Sequence, residues 1–344
     1  MLAEKACSGI LHLSSSTTPM SDETHHEREL GGQLLASVSR SFYLTLKALP
    51  KELREPISLA YLLARTADTI ADTALVSAAV RLDCLERYRA LVRGDGDAQS
   101  LANTLLTQFC TQQSDDAERR LMEKFADGIA WLRTMQPVPL AAIQSVLEHI
   151  IDGQMLDIRR FPADGRLRSL ASAEELDQYT WLVAGCVGEF WTQLCATELP
   201  GSLDPTVTTT QMQEWGARMG KGLQLINILR DIGEDTRDGR CYLPCKPENI
   251  QTEWSLWLQT CTEHLECGLR YVQHVTHTKL RYATALPLLL GIQTVAKMRS
   301  TPWEKIQQGV KISRLDVASI LAQAAIACRS AAAIEKLYRK LSQS

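Results

Sequence analysis

The chain has 344 residues, 45% hydrophobic and 22% charged, with a formal net charge of −3. That length supports one large core or two ordinary domains, and the acidic balance argues against a nucleic-acid partner, which would call for a basic surface. Ten cysteines run from Cys7 to Cys328 with no CxxC pair and no His/Cys cluster beside Cys241 and Cys245, so free thiols in a reducing cytoplasm fit better than disulfides or zinc.

Residues 1 to about 28, beginning MLAEKACSGILHLSSSTTPM, hold one short apolar run and no convincing cleavage site. They are expected to form a disordered leader, with Met20 a second candidate start and His25 and His26 solvated. From residue 29 onward strand signals are almost absent and helical spacing recurs. It predicts helices over 30–47, 51–74, 76–93, 116–135, 138–160, 172–198, 207–236, 251–277, 279–298 and 314–342. Breaks fall at Pro50, at RGDGDA (93–98), at Pro200-Gly201 and at CYLPCKPEN (241–249). None is long enough for a linker, and no fixed period repeats. The expectation is an all-α fold, a single domain over residues 29–344 with its helices around a central cavity. The longest apolar stretch, Tyr282 to Ala296, carries Pro, Gln and two Thr. It is shorter than the roughly 20 residues a membrane span requires.

Chemistry concentrates on two predicted helices. In AYLLARTADTIADT (60–73), Tyr61, Arg65, Asp68 and Asp72 follow spacings of four, three and four, so one helix face carries all of them. The flanking Leu62, Leu63, Ala67 and Ile70 are apolar. Two carboxylates four apart, with no lysine to neutralise either, repel one another, and a bound cation would relieve them. In GKGLQLINILRDIGEDTRDGRCYLP (220–244), Gln224, Asn227, Asp231 and Asp235 follow spacings of three, four and four, again on one helix face, bordered by Arg230 and Glu234. Trp215, Met219, Leu223 and Ile226 make the opposite face apolar. One such pair alone reads as a solvated face; two, each inside an apolar helix, point to a shared purpose. Carboxylate and amide oxygens suit magnesium, which completes its shell with water and phosphate oxygens. Facing pairs could clamp a diphosphate, with Arg65, Arg230 and Arg240 for its remaining charge. Gly220-Lys221-Gly222 is not a phosphate loop, because GxxxxGK[ST] and a preceding strand are both missing. A diphosphate held against an apolar cavity suits ionisation to an allylic carbocation away from water.

Four blocks, SRSF (39–42), YLLARTADTIAD (61–72), YTWLVAGCVG (179–188) and LQLINILRDIGEDTRDGRCYLP (223–244), resemble the squalene/phytoene synthase family in that family's order. The resemblance runs from about residue 33 to about 315. It implies an all-α isoprenoid synthase fold with two aspartate motifs facing across a cavity. It assigns Asp68 and Asp72 to the first motif and Asp231 and Asp235 to the second, with Asn227 and Glu234 completing the magnesium ligands. Ser39, Arg40 and Phe42 resemble the segment that meets diphosphate and covers the cavity. Tyr61, Arg65, Gln224, Arg230 and Arg240 fall at diphosphate-site positions. Tyr179, on its own residues an ordinary packed tyrosine, matches the tyrosine given a proton-transfer or cation-stabilising role. Ala184 and Gly188, four apart, let a helix or a substrate chain approach closely; the faces of Phe42, Phe190 and Trp191 could meet a cation, with plain core packing the favoured reading for Phe190 and Trp191.

The family divides by substrate length and final step. TALPLLLGIQTVA (284–296) and QGVKISR (308–314) resemble the squalene-forming branch, in which two farnesyl diphosphates give presqualene diphosphate that is reduced with NADPH. By that resemblance Lys311 and Arg314 are candidates for the NADPH 2′-phosphate, with a pair of solvated cations as the other reading; no GxGxxG follows a strand, so a Rossmann unit would not hold NADPH. The resemblance is to a monomeric, bacterial-type, cytoplasmic member without a membrane anchor, touching the membrane only peripherally. Phytoene, dehydrosqualene and presqualene diphosphate synthases are the alternatives, as is a non-catalytic assembly factor, for which two carboxylate pairs serve no purpose. Neutralising Asp68 or Asp231 is expected to abolish turnover with little loss of folding.

Overall fold

The computed structural model describes residues 30–39 and 42–343; the leader, Met20, His25, His26 and Arg40 lie outside the described residues. A π-helical turn, Leu30–Leu34, leads into α1 (Leu35–Ser39) and α2 (Phe42–Ala48), where spacing predicts one helix. The adjacent Gly31 and Gly32 account for the irregular first turn, and the interval between α1 and α2 lies outside the described residues. Gly32 leaves helical geometry at φ −94° and ψ −106°, and glycine pays the largest entropic cost for a regular helix.

Pro50 delivers the chain into α3 (Lys51–Asp72), which carries the first acidic pair. α4 (Ala78–Arg93) begins where the Ser77 side chain accepts from the Val80 amide, and it stops at Gly94 in the left-handed region. α5 (Ala98–Gln108) escapes the sequence reading because Gln, Asn and Thr dilute its apolar stripe. Asp97 caps it by accepting from the Gln99 and Ser100 amides, and Leu101, Ala102 and Leu105 are buried. The predicted 116–135 helix is two, α6 (Asp116–Glu123) and α7 (Phe125–Arg133), parted at Lys124. α8 (Pro137–Arg160) opens on a proline, whose missing N–H costs nothing in a first turn.

Two strands of two residues, β1 (Arg168–Ser169) and β2 (Arg240–Cys241), pair in parallel and are too short to show alternation. Between them lie α9 (Ala173–Thr180), a π turn (Trp181–Gly185), α10 (Cys186–Glu198), α11 (Thr209–Arg230) and α12 (Ile232–Arg237). Spacing predicts only two helices there. α13 (Ile250–Gln273), α14 (Thr278–Arg299), α15 (Trp303–Ile306), α16 (Arg314–Ala327) and α17 (Ala331–Ser342) complete the fold, the last two replacing one predicted helix.

α11 packs against α10 and α13, and its approach to α10 is limited by backbone alone. A Cβ on Gly188 would sit 2.0 Å from the Gly216 carbonyl oxygen, and one on Gly220 would sit 2.2 Å from that of Ala184. Small residues are therefore required at this crossing. The buried side chains form two clusters, one mainly from α1 to α8 and α10 with Met212, Tyr271, Leu280 and Ala283 joining it, the other from α9 and the rest of α11 to α17. Residues of both clusters wall the cavities described below. The nine described cysteines are all unpaired. No helix among the described residues is long and apolar enough to cross a membrane.

Candidate active site

A solvent-open cleft of about 820 Å³ brings together both predicted polar stripes. α3 contributes Tyr61, Arg65, Asp68 and Asp72, and α11 contributes Gln224 and Asn227. Asp231 and Asp235 follow at the α11–α12 break, and Arg240 comes from β2. The sequence spacing thus places residues far apart in the chain on the walls of one space. Tyr179, at the end of α9 just before the π turn, lines it too.

Charges in the cleft are arranged unevenly. Arg65 is hydrogen-bonded to Asp68 and to Glu118 of α6. Gln154 of α8 donates to the other Asp68 oxygen at 3.2 Å. Asp72 lines the cleft and is exposed to it. Its pKa is pushed up from 3.8 to about 6, first by loss of hydration and then by the charge of Asp68. Like charges held this close favour binding of a cation between them. Asp231 is gripped by its neighbour Arg230 through two bonds, Nε to Oδ1 at 2.8 Å and Nη2 to Oδ2 at 2.6 Å. Asp235 is buried and meets Arg240 Nη2 at 3.3 Å. Burial opposes the charge of Arg240, but Tyr242, Asp235, Asp157 and Asp72 outweigh it and hold the guanidinium above its ordinary pKa. The β1–β2 pairing fixes this arginine, with the Arg168 amide donating to the Gly239 carbonyl at 2.9 Å.

Among the described residues, no group of three or more His, Cys, Asp or Glu side chains is placed to hold a metal alone. Two separate carboxylate pairs and an amide oxygen suit a hard cation that takes further oxygens from a bound phosphate. The donor set fits magnesium on those terms.

Behind the polar cleft lies an apolar cavity of about 1070 Å³, sharing Tyr61, Ala64 and Ile150 with it. Phe42 stacks on Tyr61 at 5.2 Å between ring centroids, and both line this cavity. Ala184, Gly188, Phe190 and Trp191 form another part of its wall. The small-residue run therefore admits both the neighbouring helix and the cavity. A charged cleft opening into an apolar chamber suits a ligand with a polyanionic head and a hydrocarbon tail.

The model of the squalene/phytoene synthase family matches residues 35–246. The chain belongs to this family. It is 25% identical to squalene synthase of Cyberlindnera jadinii over 84% of its length and 27% identical to that of Eremothecium gossypii over 85%. It covers 65% and 67% of those relatives, about two thirds of their length. Its fold matches the solved structure of TcSQS with ligand at a TM-score of 0.70 and 18% identity, covering 90% of this chain and 88% of that one. A dehydrosqualene synthase in complex with ligand matches at 0.53 and 19%, covering 87% and 94%.

Several residues expected in the site of this family member lie elsewhere. Arg230 is 1% exposed and absent from the cleft lining; the break at Asp231 turns its guanidinium toward that carboxylate, leaving Nη1 buried without a partner. It holds Asp231 rather than facing the open space. Glu234, in the first turn of α12 after the non-helical Asp231, is exposed and does not line the cleft. Ser39 is buried, its hydroxyl donating to the Leu35 carbonyl. Lys311 and Arg314 are exposed beside the start of α16 and line neither cavity.

Other cleft residues escape the sequence reading. Ile150, Gln154 and Asp157 of α8 line it at spacings of four and three, the same helical offsets as the acidic stripes. Asp157 is raised in pKa by burial, partly offset by hydrogen bonding from Tyr242, and its Oδ1 has no partner. Tyr242 stacks on Tyr179 at 4.9 Å between ring centroids. Burial pushes both phenols well above their ordinary pKa, so both stay protonated.

Proposed function

We propose that this chain joins two farnesyl diphosphates head to head into presqualene diphosphate and reduces that with NADPH to squalene, acting as a cytoplasmic monomer. The observation that carries the reading is the joint one: two aspartate pairs on one cleft, opening directly into an apolar chamber. The squalene synthases among its relatives support the product.

In this reading Asp68, Asp72, Asp231 and Asp235, with the Asn227 amide oxygen, hold magnesium. Arg65, Arg240 and Gln224 meet the diphosphate, and Arg230 keeps Asp231 aimed. A magnesium ion held by these residues would supply charge neutralisation for the departing diphosphate. The chamber excludes water from the allylic cation, while the faces of Tyr61 and Phe42 lie where its positive charge would pass. Tyr179, held protonated, donates to the leaving group, and Tyr242 with Asp157 extends a path for the proton. Lys311 and Arg314 take the NADPH 2′-phosphate as exposed cations; NADPH supplies the hydride of the second half-reaction.

The raised pKa of Asp72 gives a pH signature. Between about 4 and 6 the folded chain holds more protons than the unfolded one, so this group's contribution to stability falls as pH rises through that window. A divalent cation relieves the penalty only where Asp72 is ionised. Magnesium is expected to raise the melting temperature clearly at pH 7 and much less at pH 5, as differential scanning fluorimetry would read.

Product analysis tests the function itself. With farnesyl diphosphate and magnesium, squalene is expected only when NADPH is added. Dehydrosqualene or presqualene diphosphate despite NADPH would remove the reductive step. Phytoene from the 20-carbon substrate, with nothing from farnesyl diphosphate, would overturn the substrate.

A further inference from the structure

α16 is a surface helix whose outer face is apolar. Leu315 is 82% exposed and Ile326 74% exposed. Ala318, Ala322 and Ala325 are exposed between them. At about 100° per residue these five positions fall on one side of the helix, opposite the buried Val317, Ile320, Ala324 and Ala327. No charged side chain occurs from residue 317 to 328.

The surroundings of that face are cationic. Residues 297–344 contain nine Lys and Arg against three Asp and Glu, a net charge of +6 in a chain whose total is −3. The preceding 296 residues therefore carry −9. Arg314 begins α16 and Arg329 follows its end, both exposed. From α17, which packs against α16, Lys340 reaches Gln323 at 3.0 Å, and Lys336 is exposed. Of the three acids, Asp316 is engaged by the Ser313 cap and Glu335 by Gln273.

We propose that the outer face of α16 is a docking surface for an anionic lipid bilayer, with Leu315 and Ile326 entering the interface and the flanking cations meeting headgroup phosphates. An exposed apolar stripe ringed by Lys and Arg has the chemistry of an interfacial helix. A protein partner fits less well: the face is convex, its large side chains stand about 16 Å apart along the axis, and it holds no aromatic anchor or pocket. Association would be weak and reversible, because two large apolar side chains alone bury little area. The surface is independent of the substrate assignment, although a hydrocarbon product would gain from release at a bilayer.

Sedimentation with vesicles of phosphatidylcholine, with and without phosphatidylglycerol, tests this on the full chain without reading turnover. Binding is expected on the anionic vesicles, falling as salt rises. Leu315→Gln with Ile326→Gln is expected to weaken it about tenfold. Arg329→Gln with Lys336→Gln is expected to reduce it toward the level on phosphatidylcholine alone. All four side chains are exposed, so unchanged melting temperatures check that the variants fold. Wild-type chain left in the supernatant, or a Leu315/Ile326 variant that binds undiminished, would overturn the proposal. Self-association in sedimentation velocity that the same variant abolishes would reassign the face to contact between copies and overturn it equally.

Discussion

Asp72→Asn is expected to lower turnover by about a thousandfold or more while leaving the metal-free protein as stable as the wild type, or more so, near neutral pH. Of the four motif aspartates it separates chemistry from folding most cleanly. The folded chain already disfavours its charge, raising its pKa to about 6. A neutral isostere removes that penalty along with a ligand. Asp231 is different, because Arg230 is 1% exposed and its Nε and Nη2 are both spent on that carboxylate. Asp231→Asn would leave a buried guanidinium without its counter-charge, a loss on the order of 3 kcal/mol or more. Asp68 sits in a similar bind with Arg65. The sequence-based expectation that Asp68 or Asp231 could be neutralised at little cost to folding is thus better transferred to Asp72. Steady-state kinetics beside thermal denaturation check both halves. An Asp72→Asn enzyme that keeps most of its turnover would remove the metal role.

Tyr179→Phe is expected to cost about a hundredfold or more in kcat with KM little changed. The substitution keeps the ring that stacks on Tyr242 and deletes only the hydroxyl. If the role is proton transfer, the phenylalanine enzyme fails nearly as badly as Tyr179→Ala. If the ring face stabilises the cation, phenylalanine retains most of the rate and alanine does not. Tyr242→Phe and Asp157→Asn extend the comparison. A proton path predicts an altered pH–rate profile in both, whereas loss of packing would lower stability without moving the profile.

The stripes on α3 and α11 were legible because a helix turns spacing directly into a shared face. Tyr61, Arg65, Asp68 and Asp72 reach the cleft as their offsets imply, and so do Gln224, Asn227, Asp231 and Asp235. What periodicity cannot show is where a helix bends. The break at Asp231 swings Arg230 inward and Glu234 outward, although both border the same stripe in a continuous helix. Asp157 was hidden for another reason: it stands as a lone acid ahead of Arg159 and Arg160, and only the fold brings it to Tyr242. Arg240 was visible as a charge, but the two-residue strands that hold it were not. The π turn after Tyr179 depends on tertiary packing, and of the Gly188–Gly216 crossing only the small pair Ala184 and Gly188 was visible, not the partner helix.

The central claim is that the two aspartate pairs act as one clamp on a magnesium-bound diphosphate. Calorimetric titration of the protein with inorganic diphosphate, with and without magnesium, tests it most directly. The account predicts binding that requires magnesium and that is lost in both Asp72→Asn and Asp235→Asn, one variant from each pair. Binding of equal strength without magnesium, or binding that survives neutralisation of either pair, would contradict it.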